Sequence, residues 1–211
     1  MASLNIQKLE EIIVKIFSIY KQVCDKWDAV KHERYNQRYT RANDVLTKPQ
    51  LMIDVNNYCI FITQAPVIVN LINNNKPNEI VKDRAKEKSS IINKLKKYTV
   101  KKANGIAGKF GIHKCLNDLY GLRIIADLQF TYKGADKLAK QHKLRCVKKD
   151  KEGYKAIHIY FRKDDYHYQW ELQLWNTNDS LANKIAHAKY KQEYTKWLDK
   201  YEKSIKEKEV E

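Results

Sequence analysis

The chain has 211 residues, 43% of them hydrophobic, with three prolines and six glycines, which excludes wholesale disorder and argues against a loop-rich or all-β fold. No run of about 18 apolar residues exists, so no membrane span is expected, and the acid-containing start MASLNIQKLEE does not read as a secretory signal. Forty-one Lys+Arg against 25 Asp+Glu give a net charge of +16, which points to a polyanionic partner, with a lysine-rich solvated surface as the plain alternative.

The first predicted element is an amphipathic helix from about Leu4 to Val30, where Leu9, Ile12, Ile13, Ile16, Phe17, Tyr20, Val23, Cys24 and Trp27 recur at helical steps. A polar, basic segment follows over His32 to Lys48. A second apolar stretch, Leu51 to Ile72, reads as helix interrupted near Pro66. The character changes after Pro77. Leu119 to Leu128 reads as a buried strand and Gly134 to Gln141 as a short helix. Lys155 to Arg162 and Tyr166 to Trp175 alternate apolar and polar residues and are predicted to form a β-hairpin. From Asp179 onward the chain reads as helix, ending in a frayed tail. The expected division is a helical region over residues 1–77 packed on the core, a second domain over 78–200 and a tail over 201–211. Cys24, Cys59, Cys115 and Cys146 have no metal-site spacing and read as free thiols of a reducing, cytoplasmic compartment.

Three segments carry chemistry. If Asp164 and Asp165 form a two-residue hairpin turn, His158 faces Glu171 and Ala156 faces Gln173, with these polar residues on one face and the apolar ones on the other. Asp118-Leu-Tyr-Gly121-Leu-Arg123 places an acid at the start of a strand, where it could hold a metal, and a glycine where backbone could approach a ligand. In Arg84-Ala-Lys86-Glu-Lys-Ser-Ser90-Ile-Ile-Asn-Lys94, an extended start points Arg84 and Lys86 the same way. A helix beginning near Ser89 or Ser90 then brings Lys94 beside them, a set of cations suited to polyphosphate. The glycine-containing run NGIAGKFG around Gly105, Gly108 and Gly111 lacks a following Gly-Lys-Ser/Thr and reads as a mobile loop. Asn183, His187 and Lys191 share one helical face.

Together, Arg84-x-Lys86-x-x-x-Ser90-Ile-x-x-Lys94, Asp118-x-x-Gly121-x-Arg123, Gly153-Tyr154-x-x-Ile157-His158, Glu171-x-Gln173 and His187-x-x-Tyr190-Lys191 resemble, in order and rough spacing, the synthetase domain of the RelA/SpoT family. The resemblance covers about half of the chain, from Arg84 to Lys191. It implies an α/β (α+β) fold with a mixed sheet and surrounding helices, and transfer of the β,γ-pyrophosphate of ATP to a 3′-hydroxyl with release of AMP. It also implies that Arg84, Lys86, Ser90, Lys94 and Arg123 bind ATP, Arg84 packing on adenine. Asp118 and Glu171 would hold Mg²⁺, with Glu171 helping to activate the hydroxyl. Tyr154 would stack on the acceptor base, and His158, Gln173 and His187 would support the acceptor side.

Housekeeping members of this family usually read Glu-x-Gln-x-Arg-Thr where this chain reads Glu171-Leu-Gln173-Leu-Trp175-Asn176. Some small members are toxins paired with antitoxin proteins and modify the 3′ CCA end of tRNA. The Trp175 departure and the net charge of +16 favour that tRNA acceptor over GDP or GTP. On that reading Lys96, Lys97, Lys101 and Lys102 track the RNA backbone. A non-catalytic basic RNA-binding module is the alternative of another class.

Overall fold

The computed structural model describes residues 3–30, 33–100, 102–103 and 106–189. A short strand β1 (Ser3–Leu4) leads into α1 (Ile6–Asp28), whose first turn is closed by the Asn5 side chain accepting from the Lys8 N–H. The expected apolar stripe is the buried face of α1. The basic segment contains a short helix, α2 (Ala42–Thr47), that the sequence pattern did not announce. The second apolar stretch is two helices, α3 (Pro49–Gln64) and α4 (Pro66–Asn75), each opening on a proline and bent by 58° at their junction. Proline has no N–H to lose in a first turn but cannot continue a helix, so Pro66 ends α3 and starts α4. No single helix among the described residues is long and apolar enough to cross a membrane.

Then follow β2 (Ile80–Ala85), α5 (Lys88–Val100), the two-residue strands β3 (Lys102–Ala103) and β4 (Ile106–Ala107), α6 (Ile112–Cys115) and β5 (Tyr120–Leu128). After α7 (Tyr132–Gln141) come β6 (Arg145–Lys151), β7 (Tyr154–Phe161) and β8 (Trp170–Asn176), a 3₁₀ turn at Thr177–Asp179 and a helix over 180–189. The 201–211 tail, Tyr190, Lys191, Lys101 and Gly105 lie outside the described residues.

The fold is mixed α/β with a mixed main sheet in the order β1-β5-β8-β7-β6, and β2 pairs with β5 along the same edge as β1. β5 runs parallel to β8, while β2–β5, β7–β8 and β6–β7 are antiparallel. One face buries Tyr120, Leu122, Ile159, Phe161, Trp170, Leu172 and Leu174 against the N-terminal helices. Tyr20 packs edge-on to Trp170, Phe17 meets Phe161, and the Trp170 indole N–H donates to the Tyr58 hydroxyl. One hydrophobic cluster therefore runs from α1 through the sheet. The four cysteines are free, three of them buried.

The β7–β8 hairpin differs from its expected form. Residues 162–169 connect the strands, and β8 begins at Trp170 rather than Tyr166. The partners are His158 with Gln173 and Tyr160 with Glu171, not His158 with Glu171 and Ala156 with Gln173. Because the shift is by two residues, each side chain keeps the face expected of it. Local capping by Asp164 and tertiary contacts together set this connection. Asp164 accepts from the N–H groups of Tyr166 and His167, and the His167 ring bridges Asp164 and Asp28 at 2.7 and 2.8 Å. The Gln37 N–H donates to the Asp165 carbonyl.

Candidate active site

The face of the sheet opposite the N-terminal helices is polar. Strand register sets two rows across it: Arg84, Gly121, Glu171, Tyr160 and Arg145, then Lys82, Arg123, Gln173, His158 and Val147. Parallel and antiparallel partners directly opposite share a face, so residues distant in sequence converge here.

At one end Asp118 precedes β5 and Lys86 follows β2, with the Lys86 N–H donating to the Leu119 carbonyl. The Asp118 carboxylate accepts from Lys86 Nζ at 2.8 Å and from Lys94 Nζ, on α5, at 2.9 Å. Lys94 also donates to Asn117 Oδ1. Burial opposes the ionised form of Asp118, but the two ammonium groups outweigh it and hold the carboxyl well below its ordinary range. Burial likewise opposes the charged form of Lys94, and Asp118 more than restores it. Ser90 is half-buried in the first turn of α5, and Arg84 is exposed at the open edge of the row.

At the centre, Glu171 and His158 are both 6% exposed. Glu171 Oε1 lies 2.7 Å from His158 Nδ1, and its Oε2 accepts from the Gln173 amide at 2.7 Å. His158 Nε2 is 2.9 Å from the Tyr154 hydroxyl, which accepts from the Trp175 indole N–H at 3.2 Å. Gln173 Oε1 accepts from Arg123 Nε and Nη2 at 3.1 and 2.9 Å. Trp175 and Arg123 can only donate. Trp175 donates to the Tyr154 hydroxyl, which is paired with His158 Nε2, and His158 Nδ1 meets Glu171, while Arg123 orients Gln173, whose amide donates to Glu171. Both branches meet at that carboxylate. Burial pushes its pKa up, yet His158 and Gln173 pull harder and leave it lowered. Asp118 is near enough for its charge to be felt there.

Tyr154 enters from a tight hairpin whose turn residues, Glu152 and Gly153, both have positive φ (54° and 82°). Its ring sits edge-on to Trp175, His158 and His187, and burial pushes its hydroxyl up to about 12. Burial, followed by the charges of Arg123, Arg84 and Lys86, lowers the His187 pKa, so His187 is neutral at pH 7. The helix carrying it is docked by Asn183, fully buried, whose amide bonds both backbone groups of Lys155 at 2.7 and 2.8 Å.

No protein-family model matches the chain, and no curated protein matches it. The expected residues Arg84, Lys86, Lys94, Asp118, Arg123, Tyr154, His158, Glu171, Gln173 and His187 do converge on this face. Trp175, read from sequence as a lost cation, is fully buried, and the Arg123 guanidinium lies 3.7 Å above its ring. Lys96 and Lys97 lie half-buried on α5, and the Lys102 side chain is outside the described residues. Sequence reasoning missed Asn117, Tyr160 and Arg145. The last two come onto this face only through the register of β6 and β7, and neither belongs to a motif.

Two carboxylates with oxygen lone pairs to spare suit a hard cation that also takes phosphate oxygens and water. Both Asp118 oxygens are here taken by Lys86 and Lys94, so a cation held there has to displace or share these contacts.

Proposed function

We propose that this chain is an ATP-dependent pyrophosphokinase of the RelA/SpoT type, with the 3′-hydroxyl of an RNA end, most simply the CCA end of tRNA, as acceptor. The observation that carries the proposal is the juxtaposition of Asp118, clamped by Lys86 and Lys94, with the buried, ionised Glu171 on an open polar sheet face. The donor polyphosphate lies along Arg84, Lys86, Ser90 and Lys94, where cations meet the start of α5. Glu171 takes the proton of the acceptor hydroxyl. The freed oxygen attacks the β-phosphorus of ATP, the bond from that phosphorus to the α-bridging oxygen breaks, and AMP leaves with the oxygen. Asp118 and Glu171 would hold Mg²⁺, which would supply positive charge against that developing on the transferred group. Tyr154 offers its ring to the acceptor base. The transfer of pyrophosphate rather than one phosphate rests on the motif resemblance. An antitoxin partner belongs to the same reading.

The test is incubation of the purified protein with γ-labelled ATP, GDP and bulk tRNA. AMP release with label entering RNA is the expected result. Label entering only guanine nucleotide would move the acceptor to GDP or GTP, and formation of no AMP would refute the transferase.

A further inference from the structure

The outer strand β6 carries a feature that the five motifs do not use. Its residues Arg145, Val147, Lys149 and Lys151 pair with Tyr160, His158, Ala156 and Tyr154, and so lie on the same face as the candidate site. Three of these four are cations, spaced along a strand in which alternate residues are about 6.6 Å apart. The strand's acid, Asp150, points to the opposite face and pairs there with Lys148 at 3.2 Å. Arg145 lies 5.1 Å over the ring of Tyr160, the neighbour of Glu171, and neither Arg145 nor Lys149 has a carboxylate partner among the described residues. Lys151 pairs with the exposed Glu152 of the turn.

A lysine-rich edge strand is often a guard against sheet-to-sheet aggregation. A guard has no need to gather its cations on one face, leave two of them without acids among the described residues, and align that face with a buried carboxylate. The row also lies on the far side of Glu171 from Arg84 and Lys86, so the donor polyphosphate does not account for it.

We propose that the Arg145, Lys149 and Lys151 face of β6 is the track for the phosphodiester backbone of a single-stranded RNA acceptor, whose 3′ end passes Tyr154 and reaches Glu171. This rests on the transferase reading for its direction, and it places the RNA contacts on β6 rather than chiefly on the α5 lysines. A mononucleotide at Tyr154 would reach one of these cations at most, whereas a chain of several nucleotides engages all three.

The test measures binding without ATP. A short 5′-fluorescein-labelled RNA ending in CCA is titrated with the full chain by anisotropy at several salt concentrations. The triple variant Arg145→Gln, Lys149→Gln, Lys151→Gln is compared with a control of equal charge loss on and after α7, Lys133→Gln, Lys137→Gln, Lys143→Gln. Each phosphate contact on a single strand contributes about −0.7 to the slope of log affinity against log salt. The site-face variant should therefore flatten that slope by about 2, roughly 20-fold in affinity over a fourfold change in salt. The control should match wild type. Equal losses in both variants, no loss in either, or no RNA binding by wild type would overturn the proposal. So would loss of binding to phosphatidylserine vesicles with RNA binding intact, which would make the face a membrane contact. The two readings separate cleanly. RNA binding that depends on β6 without AMP formation sinks the transferase alone, and transfer to GDP without RNA binding sinks the track alone.

Discussion

Gly121 lies between Arg84 and Glu171 in the first row of the site, and a Cβ built on it meets no atom within 4 Å. Its φ is not in the left-handed region, so the backbone does not demand glycine. Strand interiors ordinarily disfavour glycine, which costs entropy on folding and packs nothing. The reason for it here is then the open floor above the strand. Gly121→Ala should stabilise the fold by about 0.4–1 kcal/mol through the unfolded chain, and Gly121→Val, with a better strand residue, by a similar amount. Transfer should move the other way. A Val side chain would project between the donor cations and the Glu171 carboxylate, and a displacement of about 1 Å in reacting groups costs on the order of 100-fold. Urea denaturation at constant m and initial rates of AMP release measure the two effects on the same samples. A valine variant destabilised by more than about 1 kcal/mol would show that the space is not open. A stable variant with wild-type turnover would show that no substrate crosses this floor.

Asp118→Asn should abolish transfer and also destabilise by about 3 kcal/mol, since it leaves Lys86 and Lys94 partly buried without their counter-charge. The native pKa of Asp118 lies below its unfolded value, so the stabilisation is full above about pH 4 and is lost as pH falls through the native value. The gap between wild type and variant in thermal melts should narrow on acidification, and a constant gap would contradict the ion-pair account. Glu171→Gln should abolish transfer and also destabilise by about 1–3 kcal/mol, because its amide sets a donor against His158 or Gln173 in a buried site, and near-wild-type turnover would remove Glu171 from the chemistry. Trp175→Phe removes the N–H that fixes the Tyr154 hydroxyl while keeping an aromatic ring. It should raise the KM for acceptor several-fold with little change in the KM for ATP, and the reverse split would place Trp175 on the donor side. Arg84→Ala, at an exposed position, should raise the KM for ATP with a change in stability within about 0.5 kcal/mol, checked by steady-state kinetics and melting.

The sequence by itself determined the elements whose periodicity is strong and the faces they bury. The stripe of α1, the break at Pro66, strand β5 and the alternation of β7 and β8 follow from spacing and from what proline cannot do. It also marked most of the residues that meet on the polar face, because alternation assigns Glu171, Gln173 and His158 to one side whatever their partners. Tertiary structure decided the rest. The β7–β8 register was not legible because its connection is held by Asp28, Gln37 and Tyr20, more than 120 residues away in the chain. Strand β6 went unread because Lys and Asp are poor strand formers, and it exists through a two-residue turn and pairing with β7. Trp175 looked like a missing cation in one dimension. In three it is the buried donor that fixes Tyr154, with the Arg123 guanidinium laid over its ring, because which groups lie in reach is set by packing and not by order along the chain.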